Sequence, residues 1–192
     1  MFLRKAALRP VPTYAVVDAH FIETIESTLD DDGELQERLD VGYRELDRRQ
    51  PTLSGWLSAE LSSGRDEIVQ SLGYFLIITV FMAFREAFPK RLREIDEGAL
   101  HMAIDTLAVD EELRANDPTE ILESDDIIAM GQPSMISFVQ HHVNEAIEQS
   151  EGELNLEELD RIYRAVLVQV IALSHAVASP SGVLGPAPET LH

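Results

Sequence analysis

Seventeen consecutive residues without a charge, 68–84 (IVQSLGYFLIITVFMAF), constrain this chain more than any other feature. The 192-residue chain carries 35 acidic and 15 basic side chains, so a run of this kind has to be hidden from water. A bilayer, a sheet covered on both faces, or the centre of a helical domain could hide it. A membrane span needs about 20 apolar residues, and this run is shorter and includes Gln70, Ser71 and Thr79. The β-branched stretch 77–80 suits a strand, but nowhere else does apolar and polar alternation bounded by hairpin turns offer a partner strand. A buried central helix over residues 65–88, stopped by Pro89, is the expectation.

The rest of the chain reads as helix by the same rules. A first helix is expected over 14–29 behind Thr13, with Val17, Phe21, Ile25 and Leu29 on one face, ended by Asp30-Asp31-Asp32-Gly33. The next carries Leu35, Leu39, Gly42 and Leu46 in a stripe and stops near Gln50, because the residue before a proline is pushed out of helical geometry. Pro51 opens a short third helix with Leu53, Trp56, Leu57 and Leu61 inward, closed by Gly64. Beyond Pro89, Asp96 caps a helix that buries Ala99, Leu100, Ala103, Ile104 and Leu107, and the order Asp117-Pro118-Thr119-Glu120 starts another that runs to about Met130. Pro133 begins the seventh, with Met135, Ile136, Val139, Val143 and Ile147 as its stripe. Asn155 begins the eighth, with Leu159, Ile162, Val166, Val170, Leu173 and Val177. The expected fold is all-α, about eight helices in one compact bundle over 13–179, with a basic segment 1–12 and a loose tail 180–192.

Gln50-Pro51-Thr52-Leu53 with Trp56-Leu57 is echoed by Gln132-Pro133-Ser134-Met135 with Phe138-Val139. In both places a charge-poor helix follows that ends at a proline, Pro89 or Pro180. The echo has two readings: chance, or a duplicated four-helix unit, with halves 13–89 and 94–179 and two central apolar helices.

Composition excludes several classes of function. With no cysteine there is no disulfide framework, thiolate metal site, iron-sulfur cluster or cysteine nucleophile. The net charge of -20 is concentrated in 23–47, 94–126 and 145–160, a field that repels phosphate backbones, so no nucleic-acid partner is expected. Pro10 and Pro12 interrupt the basic start before any apolar stretch long enough for a secretion signal, which leads to the expectation of a cytoplasmic chain with no membrane partner.

Weak candidate sites remain. His20 with Glu23 and His142 with Glu145 each place an imidazole and a carboxylate one helical turn apart, and Glu97 with His101 does nearly the same. Their order is the reverse of the Glu-x-x-His of helical di-iron proteins, and no metal or other cofactor is expected. Asp30-Asp31-Asp32-Gly33-Glu34 lacks the ligand spacing of a calcium loop. His175 stands near the end of the last helix beside Ser174, without the elbow a serine nucleophile needs, and adjacent His141 and His142 diverge. Trp56 and Phe138 are expected to be core anchors. Arg85, Lys90, Arg91 and Arg93 form the one basic cluster, suited to the negative end of the long helix or to a second copy's acids such as Glu111, Glu112 or Asp125. No enzyme motif appears. The leading expectation is a non-enzymatic helical interaction or assembly module, forming a homo-oligomer or binding another protein through Arg85, Arg91 and Arg93. A His/carboxylate metal protein and an acidic decoy for a basic partner are the alternatives.

Overall fold

A computed structural model of the chain describes residues 8–29, 34–116, 123–150 and 152–180. Within them lie eight helices and no strand: α1 (Ala19–Leu29), α2 (Leu35–Arg49), α3 (Pro51–Ser62), α4 (Glu67–Ala87), α5 (Glu97–Ala115), α6 (Ser124–Gly131), α7 (Pro133–Gln149) and α8 (Leu156–Ala176). The all-α bundle expected from periodicity is the fold. The Asp30-Asp31-Asp32-Gly33 stop, the Asp117-Pro118-Thr119-Glu120 start and the tail from 181 onward lie outside the described residues.

Helices α4 and α8 form the axis of the molecule. Each has 21 residues and an Asx cap, Asp66 accepting from the N–H groups of Ile68 and Val69, and Asn155 from those of Glu157 and Glu158. Their starts are joined, because Asn155 N–H donates to the Asp66 carboxylate (2.8 Å) and the Arg65 and Asp66 N–H groups donate to Glu158 (2.8 and 2.9 Å). Their ends are joined too. Arg93 N–H donates to the Ala176 carbonyl (3.1 Å) and Ala178 N–H to the Arg91 carbonyl (2.8 Å), around a bridge between Leu92 and Val177. Midway, the buried Gln169 amide donates to the Ile77 carbonyl. The two helices therefore run side by side in the same direction. By length and composition α4 could cross a membrane. In this fold residues 76–81, Ala83 and Phe84 are enclosed in the core, with α1, α2, α3, α7 and α8 around α4.

The other six helices wrap this axis in an exchanged pattern. Helix α1 packs on α4 and also on α7, while α5 packs on α8 and also on α3; α3 reaches across to α8, and α7 to α4. Two glutamines hold the exchange. Gln50 sits between α2 and α3 at φ -137°, ψ 56°, and Gln132 between α6 and α7 at φ -134°, ψ 60°. Each is the non-helical residue imposed by the following proline, and each is fully buried. Gln50 donates to the Arg93 carbonyl (2.8 Å) and accepts from Ile95 N–H (2.8 Å). Gln132 donates to the Ala15 carbonyl (2.7 Å) and accepts from Val17 N–H (2.9 Å), and also donates to Ser174 (2.9 Å). The glutamine of each half thus hooks the extended segment that leads into the first helix of the other. The Gln-Pro echo in the sequence marks two structurally equivalent junctions.

Those hooks correct one sequence expectation. Residues 14–29 do not form one helix: Thr13–Ala15 is a single 3-10 turn, Val16 is extended, and α1 starts only at Ala19. The backbone groups of Ala15 and Val17 are engaged by Gln132, so they cannot enter a helical ladder. Three positions assigned to apolar stripes, Leu35, Ala99 and Ile147, are exposed.

Removing the Gln132 side chain leaves the Ala15 carbonyl and Val17 N–H buried without partners. We expect Gln132→Ala to cost about 2–4 kcal/mol in urea unfolding, and Gln50→Ala a similar amount. Ile77→Asp, which puts an unpaired charge against α8, should abolish the cooperative thermal transition. Wild-type melting of that variant would contradict the buried position of α4.

Candidate functional site

Helix α5 has two apolar faces, and only one is used by the fold. Leu100, Ala103 and Leu107 are buried. On the outside, Ala99, Met102, Thr106, Val109 and Leu113 recur in alternating steps of three and four residues, the spacing of a two-helix seam. Met102, Val109 and Leu113 are 53%, 48% and 54% exposed. Over this distance the stripe is about 21 Å long. Asp105 and Glu112, both exposed, line its free side.

The first turns of the stripe border a cavity of about 630 Å³ between the start of α5 and the end of α8. Met102, Ala103, Ile171 and Ala172 supply apolar lining, and Arg9, Arg93, Glu94 and His175 the polar part. Partial burial, followed by the Arg9 charge, lowers the His175 imidazole pKa, against a raising hydrogen bond with the Arg9 backbone. Asp96 also borders the cavity, but its carboxylate is committed to capping α5 through Ala99 N–H (2.8 Å).

At the far end of α5 a polar cluster fastens the chain. Asp110, almost fully buried, accepts from Arg114 (2.6 Å) and from the Ser124 hydroxyl (2.8 Å). Burial alone would raise its pKa, but the hydrogen bonds and charge of Arg114, with bonds from Ser124 and the Leu8 backbone, bring it below the usual carboxylate value. Nearby, Tyr163 donates to Asp125 (2.8 Å), and burial followed by that carboxylate pushes the phenol upward. Tyr74, half-buried and donating to Asp40 (3.0 Å), is pushed up to about 12 by the same two causes. All of these groups have structural partners, including Tyr74, Asp125 and Tyr163, which border surface cavities.

The residues singled out from sequence are scattered. His20 is exposed and pairs with Asp18 (2.8 Å), not with Glu23. His142 is half-buried, its Nε2 lies 3.2 Å from Glu26 and its Nδ1 3.7 Å from Glu145, and the ring edge packs on Phe75 and Phe138. His101 bonds the Glu97 carbonyl oxygen rather than its carboxylate. Among the described residues no three His, Asp or Glu side chains gather as a metal site would require. Phe138 is buried and Trp56 packs half-buried against the same core.

The arginine cluster is divided. Arg85 is bound to Glu45 and Glu86 within the chain. Arg91 spans the Tyr14 and Ala178 carbonyls (3.3 and 3.2 Å) with its guanidinium over the Phe88 ring. Lys90 is exposed, and Arg93 faces the cavity. Of the acids expected to meet them in a second copy, Glu111 holds Arg164 (2.8 Å) and Asp125 holds Tyr163, while Glu112 is exposed. Sequence reasoning missed the α5 stripe because its inner and outer apolar residues overlap in periodicity. Comparison with family models, curated proteins and solved structures gives no match.

Because the Asp110 carboxylate is favoured in the folded state, its contribution is present above the usual carboxylate range and lost as pH falls through it. Asp110→Asn should lower stability at pH 7 by about 2–4 kcal/mol and flatten the loss of stability below about pH 4, as read by urea unfolding across pH.

Proposed function

We propose that the chain is a non-enzymatic interaction module whose docking surface is the outer face of α5, and that its partner is a helix with an apolar heptad seam flanked by basic residues. The observation that carries this reading is the row Met102, Val109 and Leu113, three large apolar side chains about half exposed on one helix at seam spacing. Scattered exposed apolar residues are ordinary on any protein, whereas a continuous helical stripe needs a reason. Charge selects the partner. Asp105 and Glu112 flank the stripe, and the chain has a net charge of -20, so a second copy would bring like charge to like charge. A basic helix gains attraction at the flank and burial at the seam, the two ingredients of helix-in-groove recognition.

The test uses two synthetic three-heptad helices with leucine at the seam positions, one flanked by lysine and one by glutamate. Fluorescence anisotropy should show saturable binding of the lysine peptide alone. The Val109→Ser, Leu113→Ser double variant keeps the charge and, being exposed, should change stability by less than about 1 kcal/mol, yet weaken binding at least tenfold. Equal binding of both peptides, or unchanged binding by the double variant, would refute the proposal. Concentration-dependent dimerisation lost in the same variant would reassign the stripe to a second copy.

A further inference from the structure

We infer that the cavity between α5 and α8 is a binding site for a small carboxylate with an apolar tail. Acids outnumber basic residues 35 to 15 in this chain, and seven of its twelve described arginines lie within ion-pair distance of a carboxylate: Arg38, Arg48, Arg49, Arg85, Arg114, Arg161 and Arg164. Arg9 and Arg93, like Arg44, Arg65 and Arg91, are outside that group, but of these five only Arg9 and Arg93 share this cavity. Neither side chain has an acidic partner within ion-pair distance among the described residues, and both border the same cavity. Among the described residues both guanidinium groups are therefore free to offer directed N–H donors to a ligand in this cavity. Guanidinium groups bind a carboxylate through paired N–H donors.

The lining narrows the ligand class. Met102, Ala103, Ile171 and Ala172 present an apolar surface, and about 630 Å³ is an ordinary size for a small-molecule site. Glu94 and Asp96 also border the cavity, so the two arginines are nearly balanced in formal charge. A strongly charged phosphate ester is therefore not drawn in by the field. A single carboxylate, fixed by directed hydrogen bonds while its tail covers the apolar wall, fits both properties. The His175 imidazole adds a hydrogen-bonding group at the polar end of the cavity. This site shares Ala99, Met102 and Thr106 with the first turns of the α5 stripe, but its anion contacts are Arg9 and Arg93, and the stripe continues away from it to Val109 and Leu113.

Isothermal titration of the full chain with octanoate, octylamine and octanol, matched in tail and different in head group, tests the assignment. Octanoate should bind one to one, at least tenfold more tightly than either of the others. The Arg9→Gln, Arg93→Gln double variant, whose altered residues are exposed, should keep the wild-type melting profile and lose at least tenfold in octanoate affinity. A second variant, Ala172→Met, fills the apolar wall and should reduce binding of octanoate with both arginines intact. The Val109→Ser, Leu113→Ser variant should bind octanoate as the wild type does, so this site and the docking stripe can fail separately. Equal affinity for octanol and octanoate, retention of octanoate binding by the double arginine variant, or no saturable binding at millimolar octanoate would each overturn the inference.

Discussion

The parallel contact of α4 and α8 is the constraint on which the rest of the structure depends. Two helices running the same way bring like ends of their dipoles together, an arrangement that needs compensation at each end. At the starts the compensation is negative charge: Asp66 and Glu158 accept backbone N–H groups across the pair, and Glu67 and Glu157 occupy the first turns. At the ends the chain leaving α4 exchanges backbone hydrogen bonds with the chain leaving α8. Between the ends, close approach is set by Gly73, where an added Cβ would lie 2.7 Å from both Ile162 and Leu61 side chains. The interdigitation that excludes water from the Ile77 and Val166 level is possible only with that backbone proximity.

Once the two apolar helices pair in this way, neither half of the chain can fold as a closed unit. Helix α3 lies against α8 and α7 against α4, so each half completes the cover of the other's long helix. The Gln50 and Gln132 amides secure the exchange because a primary amide offers both a donor and an acceptor at the spacing of a carbonyl and the N–H two residues later in an extended segment. A glutamate would lack the donor. The geometry reaches the functional surface through Ile95: with residues 93–95 pinned by Gln50, Asp96 is placed to cap α5, and α5 is delivered with one face inward and the other toward solvent.

Charge has two different roles in this protein. Several of the acids on its surface hold a nearby arginine, among them Glu45, Glu60, Glu86 and Glu111. Around α5 the distribution becomes directional, with acids flanking the apolar stripe and two uncommitted arginines at the adjoining cavity. A stripe of this kind would be an aggregation hazard on a neutral protein. In a chain of net charge -20, like-charge repulsion opposes the pairing of two such faces.

Much of the fold was legible because helix periodicity, proline punctuation and caps are local. Asp96 and Asn155 cap the helices they were expected to cap, Pro51 and Pro133 stand at first helical positions, and the charge-free run became a buried helix because no other environment suited its length. The Gln-Pro echo was legible too, since each proline forces the preceding glutamine out of the helix. What that glutamine does was not legible. Its amide finds a partner 43 residues away in one half and 115 residues away in the other, and it was this tertiary bond that broke the first expected helix at Val16. The candidate site belongs to the same category. Arg9, Arg93 and His175 come from three distant places in the chain, and whether Met102 faces the core or solvent depends on which side of α5 meets α8. Local sequence determined where the helices are, through backbone geometry and apolar spacing; only their packing decided which apolar face was left over and which arginines came to border one cavity.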